Sequence, residues 1–172
     1  SSSKTAAGTT YRCEFIEIVA RSNGNLSGVK ICSANDGEGK EFILPAVQVK
    51  ENDIIAFKGG LGVGKTAFVR GFASVFSPNA AVRSPTFALV NEYRGQTLSV
   101  FHFDMYRLAS SDDLFDIGWE DYLQRGGVCA VEWSENVDDA MEDAIYVRIE
   151  KTGEDTRRIT IEGGESLEDI SL

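Results

Sequence analysis

The segment from residue 59 to 66 has the composition of a phosphate-binding loop. It reads GGLGVGKT and satisfies the pattern GxxxxGK[ST] at every position. Its residues are Gly59, Gly60, Leu61, Gly62, Val63, Gly64, Lys65 and Thr66. Glycines let successive backbone N–H groups turn towards phosphate oxygens, the Lys65 ammonium can reach the outer phosphates, and the Thr66 hydroxyl can ligate Mg²⁺. A glycine-rich turn before an ordinary helix is the alternative, and the complete pattern favours a site for a nucleoside triphosphate, with ATP and Mg²⁺ expected.

The segments on either side of this loop predict the order strand, loop, helix. Residues 53–57 form a short apolar run, typical of a parallel strand that is buried on both faces. Residues 66–76 place apolar side chains at 68, 69, 72, 75 and 76, which is the spacing of one helical face, and Pro78 ends the helix. A helix that begins at the loop directs its positive end towards a bound phosphate.

Two acidic residues follow apolar runs further along the chain. Asp104 follows residues 98–103, and Glu132 follows 128–131. In open α/β sheets the acid that holds Mg²⁺ stands where a strand ends on the ligand side, so both carboxylates emerge beside the loop if both strands run parallel to residues 53–57. Either acid alone could merely cap the next turn. Two acids at equivalent strand ends favour a magnesium site.

The remaining pattern predicts an α/β fold, a P-loop NTPase-like three-layer sandwich with a mixed central sheet that includes antiparallel hairpin strands. The segments are an N-terminal hairpin (13–20 with 29–32), a helix over 33–49 capped by Ser33 or Asp36, a hairpin (86–93 with 98–103), a helix over 110–123, a strand over 128–133 and a last strand pair (144–150 with 157–162). We expect an N-terminal extension over 1–28, a P-loop ATPase domain over 29–163 and a C-terminal tail over 164–172.

The overall composition limits the classes of function. The 172 residues suffice for one domain, and 17 basic against 27 acidic residues give a formal charge of -10, which repels nucleic acid and anionic membranes. No apolar run approaches the length of a membrane span, so we expect an aqueous compartment. Cys13, Cys32 and Cys129 match neither a disulfide framework nor a zinc site and predict free thiols. The acid-free start, without Met, is typical of a transit-peptide remnant or a cloning-derived segment, so the cytoplasm or an organelle is expected.

Five segments in order, GGLGVGKT, VRSPTFALVNEY, VFHFDMYRL, LFDIGWEDYL and VCAVEW, resemble the TsaE family of P-loop ATPases of tRNA threonylcarbamoyladenosine biosynthesis. The resemblance covers about residues 29–162. It implies that Lys65 and Thr66 hold phosphate and Mg²⁺, and that Asp104 and Glu132 form the acidic pair, with Glu132 preferred as the direct or water-linked Mg²⁺ ligand. It places Thr86 in a nucleotide-sensing switch.

The same resemblance implies a role as the energy-coupling subunit of a TsaB/TsaD-like complex, which modifies adenosine 37 of tRNAs reading codons that start with A. The acidic chain would then meet tRNA only indirectly. Two loop positions depart from the family, since Gly60 stands where an acid is usual and Ala67 where a second Thr is common. At both, contacts are expected from the backbone.

Three other functions remain open from the residues alone. A small-molecule P-loop kinase would need an acceptor pocket and an arginine-bearing lid, and the chain has no obvious insertion to serve as either. A GTPase switch would need a DxxG segment after the second strand of the P-loop domain and an [NT]KxD segment for guanine, and neither is found. A non-catalytic interaction module could keep the loop as structure only. Slow hydrolysis, stimulated by partners, is expected because no residue is assured for positioning water.

Several residues near the acids are more simply explained by structure than by chemistry. His102 alternates with two phenylalanines, and a structural role is expected for it. Trp133 with Glu132 resembles the Glu-Trp pair of the TsaE family, which implies packing near the switch, but a tryptophan at a strand end more often packs in the core, and core packing is the favoured expectation. Arg83, Arg94 and Arg107 could stabilise transition-state charge, but nothing local distinguishes one of them from a surface arginine.

Overall fold

The computed structural model describes residues 49–154 and 156–162, together with the backbone of five short strands in the first 43 residues. The strands are β1 Lys4–Thr5, β2 Gly8–Arg12, β3 Glu17–Val19, β4 Lys30–Cys32, β5 Glu41–Ile43, β6 Ile54–Lys58, β7 Val90–Tyr93, β8 Ser99–Asp104, β9 Gly127–Glu132, β10 Ile145–Lys151 and β11 Thr156–Glu162. The helices are α1 Lys65–Phe76, α2 Ser111–Asp116, α3 Trp119–Leu123 and a 3₁₀ segment, Ser134–Ala140.

The central sheet is mixed, as the sequence predicts. Its eight described strands lie in the order β1-β2-β11-β10-β6-β9-β8-β7. The four inner strands β10, β6, β9 and β8 are parallel to one another, while β11 and β7 pair antiparallel with β10 and β8. Both predicted hairpins of the sheet are therefore confirmed, and so is the α/β fold class.

Alternation along β6 divides the core into two layers. Ile55 and Phe57 face α1, whereas Ile54 and Ala56 belong to the cluster on the other side, with Phe103, Leu114 and Trp119. Successive side chains of a strand point to opposite faces, so a wholly apolar strand must be covered on both. α1 covers one face of the sheet, and α2, α3 and the 3₁₀ segment cover the other, which confirms the three-layer sandwich.

Helix α1 is held against the sheet by its aromatic side. Phe68 and Phe72 are almost completely buried, and the Phe68 ring meets the edge of Phe57 with centroids 5.3 Å apart. The helix begins after Gly64, which is in the left-handed conformation, and ends where the Ser77 N–H donates to the Ala73 carbonyl, just before Pro78. The spacing of apolar residues thus determines which face of α1 packs on the sheet. That packing determines the direction of the helix N-terminus.

The prediction of one helix over 110–123 is wrong in one respect, because the structure has two short helices there. α2 and α3 are separated at Gly118, whose φ of 82° is left-handed and incompatible with a continuous α-helix. The interruption turns Trp119 into the core, where its ring meets Phe103 edge-on with centroids 5.1 Å apart. Burial of this large side chain therefore overrides the helical continuity that the apolar spacing suggests.

Two further segments differ from the sequence-based expectation. The strand expected over 86–93 begins only at Val90, because residues 86–89 form a turn in which the Leu89 N–H donates to the Pro85 carbonyl. The helix expected over 33–49 is contradicted at 41–43, which form strand β5. Gly37, Gly39 and Pro45 disfavour a helix there. The rest of that expected helix, up to residue 48, lies outside the described residues.

The N-terminal segments form strands of two sheets. β3 pairs antiparallel with β4, in agreement with the predicted hairpin, and β4 pairs with β5. β2 pairs with β11 of the central sheet. The division at residues 28 and 163 stays a prediction. Among the described residues, no helix is long and apolar enough to cross a membrane.

One cysteine side chain falls within the described residues. Cys129 is a free, fully buried thiol in β9, and burial raises its pKa to about 12. This agrees with the predicted free thiol. Cys13 lies outside the described residues, and Cys32 is described only by its backbone.

Phe72→Ala is expected to lower the free energy of unfolding by about 3–5 kcal/mol, because it leaves a cavity between α1 and the sheet. Phe87→Ala is the matched control, since Phe87 is 91 % exposed, and its effect should stay within about 0.5 kcal/mol. Urea denaturation followed by circular dichroism measures both. Equal effects of the two substitutions would contradict the proposed core.

Candidate functional site

The carboxyl ends of three parallel strands meet at one edge of the sheet. Asp104 and Glu132 end β8 and β9 and are direct register partners, and Glu132 lies beside Phe57 of β6. The glycine-rich loop continues directly from the end of β6. Both acids therefore emerge beside the loop, because their strands run parallel to β6 as the sequence interpretation requires.

Three glycines give the loop a backbone path that other residues rarely follow. Gly59, Gly62 and Gly64 have φ values of 141°, 73° and 114°. A Cβ on Gly59 would lie 2.3 Å from the Ile149 carbonyl oxygen of β10, so no side chain fits there. The loop is consequently pressed against the sheet, with its backbone curved around the start of α1.

Lys65 is folded back over this loop. Its Nζ donates to the carbonyl oxygens of Gly59 at 2.5 Å and Gly60 at 3.0 Å, and it stands 3.6 Å from the centroid of the Trp133 ring. Burial lowers the pKa of Lys65, and the nearby carboxylates, Glu132 foremost, oppose that shift. Because the side chain is only 4 % exposed, its charge is poorly solvated and attractive to an anionic ligand.

A hydrogen bond joins the end of the loop to the end of β9. Thr66 Oγ1 donates to Glu132 Oε1 over 2.7 Å, and the same oxygen lies 2.7 Å from His102 Nε2. The other carboxylate oxygen, Oε2, makes no hydrogen bond with any residue that the structure describes. Glu132 itself is 3 % exposed and lines the cavity beside the loop. One oxygen is thus committed to holding the carboxylate in place, and one is available.

Asp104 is engaged differently, by the segment that precedes β7. Its Oδ2 accepts hydrogen bonds from Ser84 Oγ at 2.7 Å and Thr86 Oγ1 at 2.6 Å. Its Oδ1 accepts one from the Tyr106 N–H at 3.0 Å. Both oxygens are therefore occupied, and Asp104 is connected to Thr86 rather than to Thr66.

Trp133 packs against the edge of the core and also lines the site, so the expectation of core packing is confirmed only in part. It is half-buried, lines the cavity, and packs its ring against Tyr106 with centroids 4.9 Å apart. Its backbone is left-handed, with φ of 60°, immediately after Glu132. Such strain in a non-glycine residue is concentrated at functional sites, and here it turns the ring over Lys65.

A cavity of about 500 Å³ lies between these groups. Loop residues 61–67 line it, including Ala67, and so do Ser84, Thr86, Asp104, Tyr106, Glu132 and Trp133. Gly59 and Gly60 contribute the carbonyl oxygens that hold Lys65. The sequence-predicted site residues are thus brought together at one place.

The donor set fits a magnesium-bound polyphosphate better than a protein-caged metal. No group of three or more His, Cys, Asp or Glu side chains among the described residues could hold a metal ion. Mg²⁺ is ordinarily bound by one or two carboxylates together with phosphates and waters, and a Thr66 hydroxyl beside Glu132 supplies that pair. The curved loop and the poorly solvated Lys65 fit the phosphates.

His102 is the residue that the sequence interpretation undervalued. It is completely buried and bonded to Glu132, so it holds a site residue as well as filling space. Side chains two apart on a strand share a face, and the spacing of His102 and Asp104 on β8 could have indicated this. The sequence interpretation also did not include Ser84, which lines the cavity and donates a hydrogen bond to Asp104. Arg83, Arg94 and Arg107 are exposed and do not line the cavity.

Lys65→Met is expected to remove part of the rise of the unfolding free energy with pH. In the folded protein the pKa of Lys65 lies below its ordinary value of 10.5, which the unfolded chain retains. Between these two values the unfolded state binds more protons, so this group makes the protein more stable as pH rises. Denaturation of wild type and variant at about pH 8 and pH 10 measures the difference. Lys151→Met removes an exposed lysine as the control, and identical pH slopes for wild type and Lys65→Met would contradict the burial described.

Comparison with known proteins assigns the family. A family model described as threonylcarbamoyl adenosine biosynthesis protein TsaE matches residues 38–159. A second model, described only as a protein second domain, matches residues 2–59. The chain is 36 % identical over 118 residues to the tRNA threonylcarbamoyladenosine biosynthesis protein TsaE of Bacillus subtilis, covering 68 % of this chain and 73 % of that one. With the protein of the same name from Treponema pallidum it shares 36 % identity over 114 residues, covering 66 % and 84 %.

A solved structure agrees with these sequence relatives. The crystal structure of Bacillus subtilis YdiB superposes with a TM-score of 0.53 and 28 % sequence identity, over 69 % of this chain and 73 % of that one. The region matched by the TsaE model contains the loop, both acids and all the strands that position them. The chain therefore belongs to the TsaE family, whose members act in tRNA threonylcarbamoyladenosine biosynthesis.

Proposed function

We propose that this protein is a Mg²⁺-dependent ATPase that couples ATP binding and hydrolysis to a TsaB/TsaD-like complex making the N6-threonylcarbamoyladenosine modification of tRNA. The observation that supports it most directly is the 2.7 Å hydrogen bond from Thr66 to Glu132. It brings together, beside the glycine-rich loop, a hydroxyl and a carboxylate whose other oxygen makes no hydrogen bond with a described residue, which is a donor set that suits Mg²⁺. A glycine-rich turn with a purely structural role does not require a half-buried threonine bonded to a buried glutamate beside a buried lysine.

Each residue of the site has a role in this proposal. The backbone from Gly59 to Thr66 binds the phosphates, and Lys65 moves from the loop carbonyls to the β- and γ-phosphate oxygens. Thr66 and the free oxygen of Glu132 hold Mg²⁺, directly or through water. When bound, Mg²⁺ neutralises negative charge that develops on the phosphoryl group during transfer.

Asp104 and Thr86 form the part of the site that responds to the nucleotide. The Thr86 hydroxyl donates a hydrogen bond to Asp104, and both residues line the cavity. A γ-phosphate would compete for the Thr86 hydroxyl, because a hydroxyl has only one hydrogen to donate. Segment 83–89, which carries Thr86, would then rearrange as nucleotide-sensing switches do.

Hydrolysis by the isolated protein should be slow. Among the described residues, no arginine lines the cavity that could stabilise transition-state charge, a contribution worth about 10³–10⁵ in rate where it is present. A partner that supplies such a group, or that orders segment 83–89, would raise turnover. This agrees with an energy-coupling subunit that is not itself the threonylcarbamoyl transferase.

The charge of the chain supports indirect contact with tRNA. A formal charge of -10 repels a polyphosphate backbone, so binding of tRNA would fall to a partner with a basic surface. ATP is preferred to GTP because the guanine-recognition segment [NT]KxD is missing from the sequence.

Adding the purified partner complex is expected to raise the ATP turnover of this protein at least about ten-fold, as an effect on transition-state charge or switch ordering would. Steady-state phosphate release, measured with and without partners at saturating MgATP, tests this. Glu132→Ala should still bind ATP in the absence of Mg²⁺, yet show no stimulated turnover, because it lacks the metal-holding carboxylate.

Glu120→Ala is the matched control, since Glu120 is exposed on α3 and does not line the cavity. It should be stimulated like the wild type. Equal turnover of the wild type with and without partners would sink the coupling role, and full activity of Glu132→Ala would sink the assigned metal site.

A further inference from the structure

The single histidine of the chain is buried inside the sheet. His102 stands in β8 and is 0 % exposed, as deep as the phenylalanines around it. Its Nε2 lies 2.7 Å from Glu132 Oε1, the oxygen that also accepts from Thr66. Burying an imidazole costs free energy unless its ring nitrogens find hydrogen-bond partners, and here one of those partners is a carboxylate of the candidate site.

The other imidazole nitrogen faces a second buried polar residue. His102 Nδ1 lies 3.5 Å from the hydroxyl of Tyr93, which is 8 % exposed in the neighbouring strand β7. The Tyr93 hydroxyl oxygen accepts from the Arg83 N–H at 3.3 Å and from Asn91 Nδ2 at 3.4 Å. The hydroxyl hydrogen also lies within reach of the Arg83 carbonyl, at 3.2 Å. Polar contacts therefore continue from Glu132 to the backbone of residue 83.

The chemistry of the groups gives this series of contacts a direction. An ionised carboxylate only accepts hydrogen bonds, so Nε2 of His102 carries the hydrogen that is donated to Glu132. Nδ1 of a neutral imidazole is then an acceptor, and the Tyr93 hydroxyl is the donor beside it. The hydrogen of that hydroxyl has two acceptors, His102 Nδ1 and the Arg83 carbonyl. Its position thus depends on where residue 83 lies.

Both acids are consequently connected to the same stretch of chain. Asp104 accepts directly from Ser84 and Thr86, and Glu132 reaches Arg83 through His102 and Tyr93. Among the described residues, two series of polar contacts therefore connect the acids to residues 83–86. One series lines the cavity, and the other lies behind it. Movement of residues 83–86 would therefore change the hydrogen-bonded surroundings of both carboxylates.

We propose that His102 is a positioning residue that orients the Glu132 carboxylate for Mg²⁺, and that Tyr93 connects this histidine to residue 83 of the switch segment. The magnesium part of this inference rests on the proposed function, whereas the hydrogen-bond direction does not. Histidine acts here through Glu132 and does not touch the nucleotide. Groups that orient metal ligands typically change metal affinity or activity about 10- to 100-fold when removed.

The hydrogen-bond direction can be tested on the nucleotide-free wild type. Because the chain has one histidine, the ¹⁵N resonances of an untagged, labelled protein belong to His102 alone. We expect Nε2 to carry a hydrogen, and we expect the Nδ1 resonance to shift in Tyr93→Phe, which loses only the hydroxyl. An Nε2 without hydrogen would overturn the positioning role, and an unchanged Nδ1 resonance would overturn the connection through Tyr93.

The consequence for the metal is tested by binding, without turnover. Mg²⁺ is titrated into protein saturated with adenylyl imidodiphosphate, a nonhydrolysable ATP analogue, and the analogue's affinity is measured separately in EDTA. His102→Leu should weaken apparent Mg²⁺ binding by about ten-fold or more while the affinity in EDTA stays within about two-fold. His102→Gln, whose amide can donate from a similar position, should recover most of the loss.

These outcomes separate the two proposals. If the wild type binds no analogue, or binds it without any effect of Mg²⁺, the proposed function fails, whatever the resonances of His102 show. If the wild type binds Mg²⁺ and analogue but His102→Leu binds Mg²⁺ equally well, the positioning role alone is overturned. It is also overturned if the Gln and Leu variants, both folded by circular dichroism, are equally impaired, because a purely structural role would not distinguish them.

Discussion

The hydrogen bond between Thr66 and Glu132 is the constraint on which the site depends. It joins the first turn of α1 to the last residue of β9, and it can form only if β6 and β9 are parallel neighbours in their observed register. The aromatic packing of α1 on the sheet fixes the position of Thr66 relative to the strand ends, and the burial of the apolar residues of β9 fixes the position of Glu132. The 2.7 Å hydrogen bond therefore depends on the relative position of α1 and β9, and both elements are positioned by burial of their apolar side chains.

The second half of the site is attached to this first half through the neighbouring strand. Asp104 is the register partner of Glu132, yet its oxygens are directed to Ser84 and Thr86. The segment that contains these hydroxyls ends at Leu89, whose φ of 65° is unusual for a branched side chain. A short strained segment held mainly by hydroxyl contacts is easier to displace than a strand, which suits a part of the site that must respond to a ligand.

Much of this arrangement could be predicted from local pattern. The GxxxxGK[ST] match, the apolar run before it and the apolar face of α1 follow rules of short range, and they located the loop correctly. Acids at two strand ends could be placed beside it because parallel strands end at a common edge. The break at Gly118 could not be predicted in the same way, because it depends on the burial of Trp119 against Phe103, which are distant in the sequence.

The same reasoning explains why the sequence favours a structural role for His102 and core packing for Trp133. Their surroundings are set by residues 30 or more positions away or on other elements, such as Glu132 for the histidine and Lys65 for the tryptophan. An apolar local sequence indicates burial, but it does not indicate what a buried polar atom contacts. In this fold, residues at apolar strand positions contact the side chains of the candidate site directly, as His102 contacts Glu132.

A double-mutant cycle on Thr66 and Glu132 tests the central constraint most directly. The affinity for an ATP analogue is measured by calorimetry with and without Mg²⁺ in the wild type, Thr66→Val, Glu132→Gln and the double variant. If the two groups act as one metal-holding unit, the losses of Mg²⁺-dependent affinity are not additive, with a coupling of about 1 kcal/mol or more. Additive losses, or a Mg²⁺ effect that survives in the double variant, would contradict the account.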